Sequence, residues 1–186
     1  MSVVIRRATH ADAADVARIH VQSWQETYHG LMPQPFLDAL DITQRAARWK
    51  THLQDPSAFP VFVALVDGEP CGIAGAGAPP QQAAPYDAEI HLLYVLGAAQ
   101  GKGLGRALMR AAAASLAAGG LKRPMLWVAA ANDGSRGFYA HMGGKEFARK
   151  TEAVAGSALE QVGYGWEDMS AICPVTRPSF PGGEGN

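Results

Sequence analysis

The chain has 186 residues, the size of one domain with a proper apolar core. Charged residues make up 18% and the formal net charge is −1, so no basic surface advertises nucleic acid. The opening stretch MSVVIRRATHADAADV lacks the apolar centre of a signal peptide, and no apolar run is long enough to span a bilayer; the expectation is a soluble cytoplasmic protein that binds no membrane.

VVIRRAT alternates polar and apolar residues as a short strand does, ending at Thr9. Thr9 and Asp12 resemble a helix-start signal, and Val16, Ile19 and Ser23 then fall on one side of a helix predicted to reach about Trp24, where YHGLMPQP breaks it. From Pro35 to Leu53 a second helix is predicted, with Ile42, Ala46, Trp49 and Leu53 at helical spacing and DPSAFP ending it. VFVALV and EPCGIAGAGA flank Asp67-Gly68, a dipeptide that readily takes a type I′ turn, and so read as a β-hairpin. After the loop PPQQAAPYD comes AEIHLLYVL, a strand apolar enough to be buried on both faces.

A helix follows from about Leu104 to Ala118, with Leu104, Leu108, Ala111, Ser115 and Leu116 expected inward and Gly119-Gly120 as its stop. PMLWVAAA reads as a strand, NDGSRGFYAHM as a loop and short helix, GGKEFARK as a turn and strand, and EQVGYGWEDM as the last strand. CPVTRPSFPGGEGN is rich in breakers and expected to fray, which bounds a single domain at 1–169 and a tail at 170–186. Cys71 and Cys173 have no CxxC spacing and read as two reduced thiols; the histidines show no HxxxH or HExxH pairing, so no metal site is expected.

Gly101, Gly103 and Gly105 stand where the apolar strand meets the long helix. Backbone N–H groups at a helix N-terminus lack intrahelical partners, and the helix dipole adds positive potential, so such a turn suits an anion. Glycine lets backbone approach a phosphate without a Cβ in the way. Gln100, Gly101, Lys102, Gly103, Leu104, Gly105 and Arg106 therefore read as a diphosphate cradle, with Lys102 and Arg106 adding charge; an ordinary tight turn is the competing reading. The P-loop pattern GxxxxGK[ST] is absent, and GxGxxG would need a glycine where Arg106 stands.

QGKGLG, Gln100 to Gly105, resembles the [QR]xxGx[GA] signature of the GNAT superfamily of N-acetyltransferases, which cradles the pyrophosphate of acetyl-CoA. AEIHLLYV is similar to the family's fourth strand and NDGSRGFYAHMGGKEF to its later N…FY…G(F) segment; Gly144-Lys145 stands where Gly-Phe is usual. The resemblance covers roughly residues 3 to 167. It implies an α+β (α/β/α) fold: a mixed, mostly antiparallel sheet of six to seven strands with flanking helices and a splayed fourth and fifth strand. It also implies acetyl-CoA as cosubstrate, with the pantetheine arm in the splayed gap against the main chain of Leu93, Tyr94 and Val95.

Acetyl transfer to an amine needs a neutral nitrogen, a stabilised oxyanion and a proton for the departing thiolate. Alkyl amines titrate near about ten, so a base or a water chain must act first. Strand alternation is expected to put Glu89, His91 and Leu93 on one face and Ile90, Leu92 and Tyr94 on the other. The resemblance offers Glu89 as the base, through water, against a solvated strand-end carboxylate; His91 is a second candidate and a contact for the acceptor. It offers Tyr139 as the acid, against a core aromatic beside Phe138, and Asn132 as a pantetheine contact, against a helix cap.

The resemblance places the acceptor pocket at SWQETYHGLMP, where Trp24, Tyr28 and Glu26 would hold an amine by aromatic face and carboxylate, against Trp24 as core. The leading expectation is acetylation of a small-molecule amine; a protein N-terminus or lysine, and a CoA-binding sensor without catalysis, stay open. A homodimer is compatible with all of these.

Overall fold

The computed structural model describes residues 1–173. In chain order the elements are β1 (Val3–Arg7), α1 (Ala13–Tyr28), α2 (Gln34–Asp38), α3 (Ile42–Gln54), β2 (Val61–Val66), β3 (Glu69–Gly77), β4 (Ala88–Val95), α4 (Leu104–Ala118), β5 (Pro124–Ala129), α5 (Asp133–His141), β6 (Lys145–Val154) and β7 (Ser157–Gly165). The strands form one seven-stranded sheet in the order β1-β2-β3-β4-β5-β7-β6. Every neighbour pair is antiparallel except β4 and β5, which run parallel and are joined only at Ala88↔Pro124 and Glu89↔Met125. Beyond Glu89 the two strands part, as the resemblance implies.

The helices cover both faces. Leu108, Met109, Ala112, Ala113 and Leu116 of α4 pack with Ala74, Ala88, Ile90, Leu126 and Val128 on one side. Val16, Ala17 and Ile19 of α1 and Trp49 of α3 pack with Val61, Val63, Ile73 and Leu92 on the other. A smaller cluster of Met32, Leu37, Ala129 and Leu159 seats the α1–α2 connection on β5 and β7.

Local chemistry explains the boundaries. The Asp12 carboxylate accepts the Thr9 N–H at 2.7 Å and the Thr9 hydroxyl at 3.0 Å, and two bonds from Arg6 at 2.8 and 2.7 Å, which fixes the start of α1. α1 then runs one turn past Trp24, to Tyr28. The single helix expected over Pro35–Leu53 is two: Asp41 has extended dihedrals and accepts the Gln44 N–H at 2.8 Å, so it caps a fresh helix. Asp67 and Gly68 both have positive φ, as the predicted I′ hairpin requires.

On α4 the buried stripe runs through Leu104, Leu108, Met109, Ala112, Ala113 and Leu116, while Ala111 and Ser115, expected inward, are only half-buried. The i+4 path wins because alanine-rich faces let the helix lie close to the sheet along a broad band. β6 and β7 form a longer hairpin than predicted, turning at Ala155-Gly156. At Gly144 a Cβ would lie 2.7 Å from the Trp166 ring, whose indole N–H donates to the Met142 carbonyl at 2.9 Å; Trp166 supplies packing at the site of the Gly-Lys departure. Described chain continues past 169, with Ile172 fully buried in the α4-side core; the remainder of the breaker-rich tail, 174–186, lies outside the described residues.

Candidate active site

The end of β4, the turn after it and the start of α4 form one continuous wall. After Val95 a single 3-10 turn, Gly97–Ala99, leads to Gln100, and α4 begins at Leu104 behind Gly103. Gly101 and Gly103 have φ of 74° and 78°, a left-handed conformation that costs a residue with a Cβ about 1–2 kcal/mol. Nothing lies within 4 Å of where a Cβ would stand on either, so backbone conformation rather than crowding requires them. Gly105 has another job: a Cβ there would stand 3.4 Å from the Phe138 ring of α5. No side chain among the described residues caps α4, so its first N–H groups remain available to a ligand.

The side chains of the loop divide. The Gln100 amide donates back to the Val95 carbonyl at 3.0 Å. Lys102 donates to the Ala98 carbonyl at 3.0 Å and is not among the cleft-lining residues. Arg106 does line the cleft, paired with His141 Nε2 at 2.9 Å.

The cleft has a volume of about 1030 Å³ and runs from this loop into the gap where β4 and β5 part. Leu93, Tyr94 and Val95 lie along it, each paired on its other edge with β3 through Ala74, Ile73 and Gly72. Their β5-facing edge pairs with no described strand. Such an edge accepts an extended ligand as an added strand.

The expected alternation along β4 fails at one residue. Gly75 pairs with Leu92 and Ala76 with Ile90, which leaves His91 as a bulge. One extra residue exchanges the faces beyond it. Ile90 and Leu93 therefore pack on the α4 side together, while Leu92 and Tyr94 pack on the α1 side. Glu89 and His91 do share a face, with Glu89 Oε1 3.7 Å from His91 Nδ1, but Leu93 is not on it. The His91 ring lies 4.4 Å from that of Phe59. Glu89 is 16% exposed at the last joined position of β4 and does not itself line the cleft; His91 does.

Tyr139 is 7% exposed on α5 and lines the opposite wall; burial pushes its phenol well above the ordinary value, so it stays protonated. Asn132 lines the same wall and caps α5, its Oδ1 accepting the Ser135 N–H at 3.0 Å. The cap uses the carbonyl oxygen only, which leaves the side-chain NH₂ for a ligand.

Of Trp24, Tyr28 and Glu26, the two aromatic rings pack together with centroids 4.8 Å apart. The Trp24 indole donates to the Tyr94 hydroxyl at 2.9 Å and lies outside the cleft lining. Glu26 accepts the Gly97 N–H at 2.9 Å and the Gln22 amide at 2.9 Å, tying α1 to the loop. Glu26 and Tyr28 both line the cleft, the Tyr28 phenol raised by burial. Sequence reasoning missed Thr27, Trp127 and His141, which also line it. Among the described residues no group of three or more His, Cys, Asp or Glu is placed to hold a metal ion. No helix among them is long and apolar enough to cross a membrane.

Among the described residues, a seven-stranded sheet opened between its one parallel pair, with an uncapped helix at the mouth of the opening, defines the class. The model of the Acetyltransferase (GNAT) family matches residues 18–143, and the chain belongs to that family. Bacillus subtilis YuaI, an uncharacterized N-acetyltransferase, is 34% identical over 171 residues, 91% of this chain and 96% of YuaI. An N-acetyltransferase of Staphylococcus aureus has a similar structure, with TM-score 0.70 at 22% identity over 91% of this chain and 99% of that one. The acetyltransferase YncA of Salmonella typhimurium, solved with its cofactor acetyl-CoA, has TM-score 0.67 at 22% identity over 89% of this chain and 94% of that one. The chain is an N-acetyltransferase of the GNAT type.

Proposed function

We propose that the enzyme moves the acetyl group of acetyl-CoA onto a primary amine of a small molecule, by direct attack in a ternary complex. The observation that carries this is one cleft holding both a free β4 edge and an uncapped α4 N-terminus. That combination suits a ligand with amides along its length and a diphosphate at one end. When bound, acetyl-CoA supplies an activated thioester. Main-chain groups of Leu93, Tyr94 and Val95 hold its arm and acetyl carbonyl, and Gln100–Arg106 hold the diphosphate. Lys102, engaged at Ala98, contributes only long-range charge. Asn132 adds a side-chain contact.

Glu89 takes a proton, through water, from the acceptor ammonium. The freed nitrogen attacks, the C–N bond forms as the C–S bond breaks, and Tyr139 gives its phenolic proton to the departing sulfur; the nitrogen sheds its second proton to solvent as the amide forms, and Glu89 releases its own proton to solvent. Solvent then restores Tyr139. Much of the acceleration comes from holding both substrates in register. The acceptor lies against Tyr28, His91 and Trp127, with Tyr28 and Leu31 of the α1–α2 side also in the lining; bulky side chains there suit a small molecule better than a polypeptide. The free thiols Cys71 and Cys173 support a cytoplasmic setting.

The test is a panel of small amines and of peptides with free N-termini or lysines, each assayed for release of CoA thiol. Turnover with a subset of the small amines is expected. Turnover confined to peptides would replace the acceptor class.

A further inference from the structure

One hydroxyl in the cleft has no role in the scheme above. Ser23 is 2% exposed, lines the cleft, and its Oγ has no hydrogen-bond partner among the described residues. A mid-helix serine ordinarily bonds back to a carbonyl one turn earlier or faces water, and this one does neither. A buried hydroxyl left unpaired destabilises a folded chain, so its presence calls for a partner.

Its position says what kind. One turn earlier, His20 stacks on Tyr94 with ring centroids 5.3 Å apart. One turn later, Glu26 accepts the Gly97 N–H at 2.9 Å. Ser23 thus sits between two anchors of α1 to the chain from Tyr94 to Gly97, in the lining of the cleft that the free edge of β4 also borders. The carboxylate of Glu26 next to it disfavours an anion there, so the missing partner is neutral and polar. This stretch lies between the phosphate loop that starts at Gln100 and the far end of β4, where Glu89 stands. Thr27, at i+4 on the same helix, lines the same wall.

We propose that the Ser23 hydroxyl binds the pantetheine arm of the cosubstrate, hydrogen-bonding one of its two amides, with Thr27 as a secondary contact. The proposal rests on the reading that acetyl-CoA occupies this cleft. It assigns α1 a direct part in holding the arm, opposite the main-chain contacts of β4.

The experiment measures Kd by calorimetry for two ligands, acetyl-CoA and adenosine 3′-phosphate 5′-diphosphate, which is the same nucleotide without the arm. Ser23→Ala is expected to weaken acetyl-CoA about three- to tenfold, the range for one neutral hydrogen bond, and to leave the nucleotide unchanged. Thr27→Val should show a smaller loss with the same selectivity. The ligand-free melting temperature of Ser23→Ala should equal or exceed that of the wild type, because an unpaired group has been removed. Unchanged acetyl-CoA affinity, or an equal loss for both ligands, would overturn the proposal. So would a lower ligand-free melting temperature, which would mean that the hydroxyl already has a partner in the folded chain. Wild-type protein that binds neither ligand would sink the cofactor reading itself, and that result is read before any variant is made.

Discussion

Glu89 and Tyr139 stand on different elements and face different problems. Glu89 occupies the last joined position before β4 and β5 part, 3.7 Å from His91 on the same face; His91 lines the cleft and Glu89 stands next to it. Glu89→Gln keeps shape and hydrogen bonding while removing charge and proton acceptor. If Glu89 is the base, kcat falls and the residual rate climbs with pH as free amine forms unaided. If it only attracts the ammonium, the acceptor KM rises and kcat at saturation holds. His91→Ala is the control, and a collapse there beside a near-normal Glu89→Gln would move the role to the histidine. Tyr139→Phe removes a single hydroxyl and should lower kcat by about 10²–10⁴-fold with acetyl-CoA binding intact, the usual worth of a general acid. Because burial raises the Tyr139 phenol, the wild type should show no alkaline loss of kcat from this group below about pH 10. An unaffected turnover in Tyr139→Phe would return that residue to packing.

At the scale of elements, the loop before α4 makes the strongest demand on sequence. Gly103 has φ of 78° and open space above it, which separates two substitutions. Gly103→Ala should cost the ligand-free fold about 1–2 kcal/mol for the left-handed backbone while acetyl-CoA still raises the melting temperature. Gly103→Glu should abolish that rise, because it sets bulk and negative charge at the proposed diphosphate site. A full ligand-induced shift in Gly103→Glu would move the site elsewhere.

The same elements show what was legible. Asp67-Gly68 and the glycines before α4 announce backbone conformations that few other residues take, and those elements match their predictions closely. The bulge at His91 was hidden, because a bulge is a choice of register between two strands and leaves no mark on one of them. The turn at Ala155-Gly156 has alanine where asparagine or aspartate is the usual signal. Ser23 falls on the same side of α1 as Val16 and Ile19 by its spacing, but nothing in that spacing shows that it lines a cleft. Trp24 and Glu26 have the right chemistry for an amine, and the structure adds partners that no local pattern shows, the Tyr94 hydroxyl and the Gly97 N–H.

Across the whole molecule, one half-buried imidazole ties the α1–α3 layer to the sheet. His20 lies between Trp24, Trp49 and Tyr94, with ring centroids 6.0, 5.7 and 5.3 Å away, and its Nδ1 accepts the Trp49 indole N–H at 3.3 Å. Burial, with Arg45 of α3 adding to it, lowers its pKa from 6.5 to about 4. A proton on Nδ1 would also set two donors against each other. The sign follows from linkage: below 6.5 the unfolded chain takes up a proton that the folded chain refuses until about 4. This contribution is therefore fully present above 6.5 and is lost as pH falls toward 4, with a total of at most about 3 kcal/mol. Asp12, held well below the ordinary carboxylate range by Arg6 and Thr9, adds its own loss only at lower pH, starting near its unfolded value of 3.8. The two windows are separable. The melting temperature of the ligand-free protein should fall between pH 6.5 and about 4.5, and His20→Gln, which stays neutral and still offers an acceptor to Trp49, should flatten that slope. If the slope is the same in both proteins, the acid sensitivity lies outside the aromatic layer, and His20 is a packing residue with no linkage to the fold.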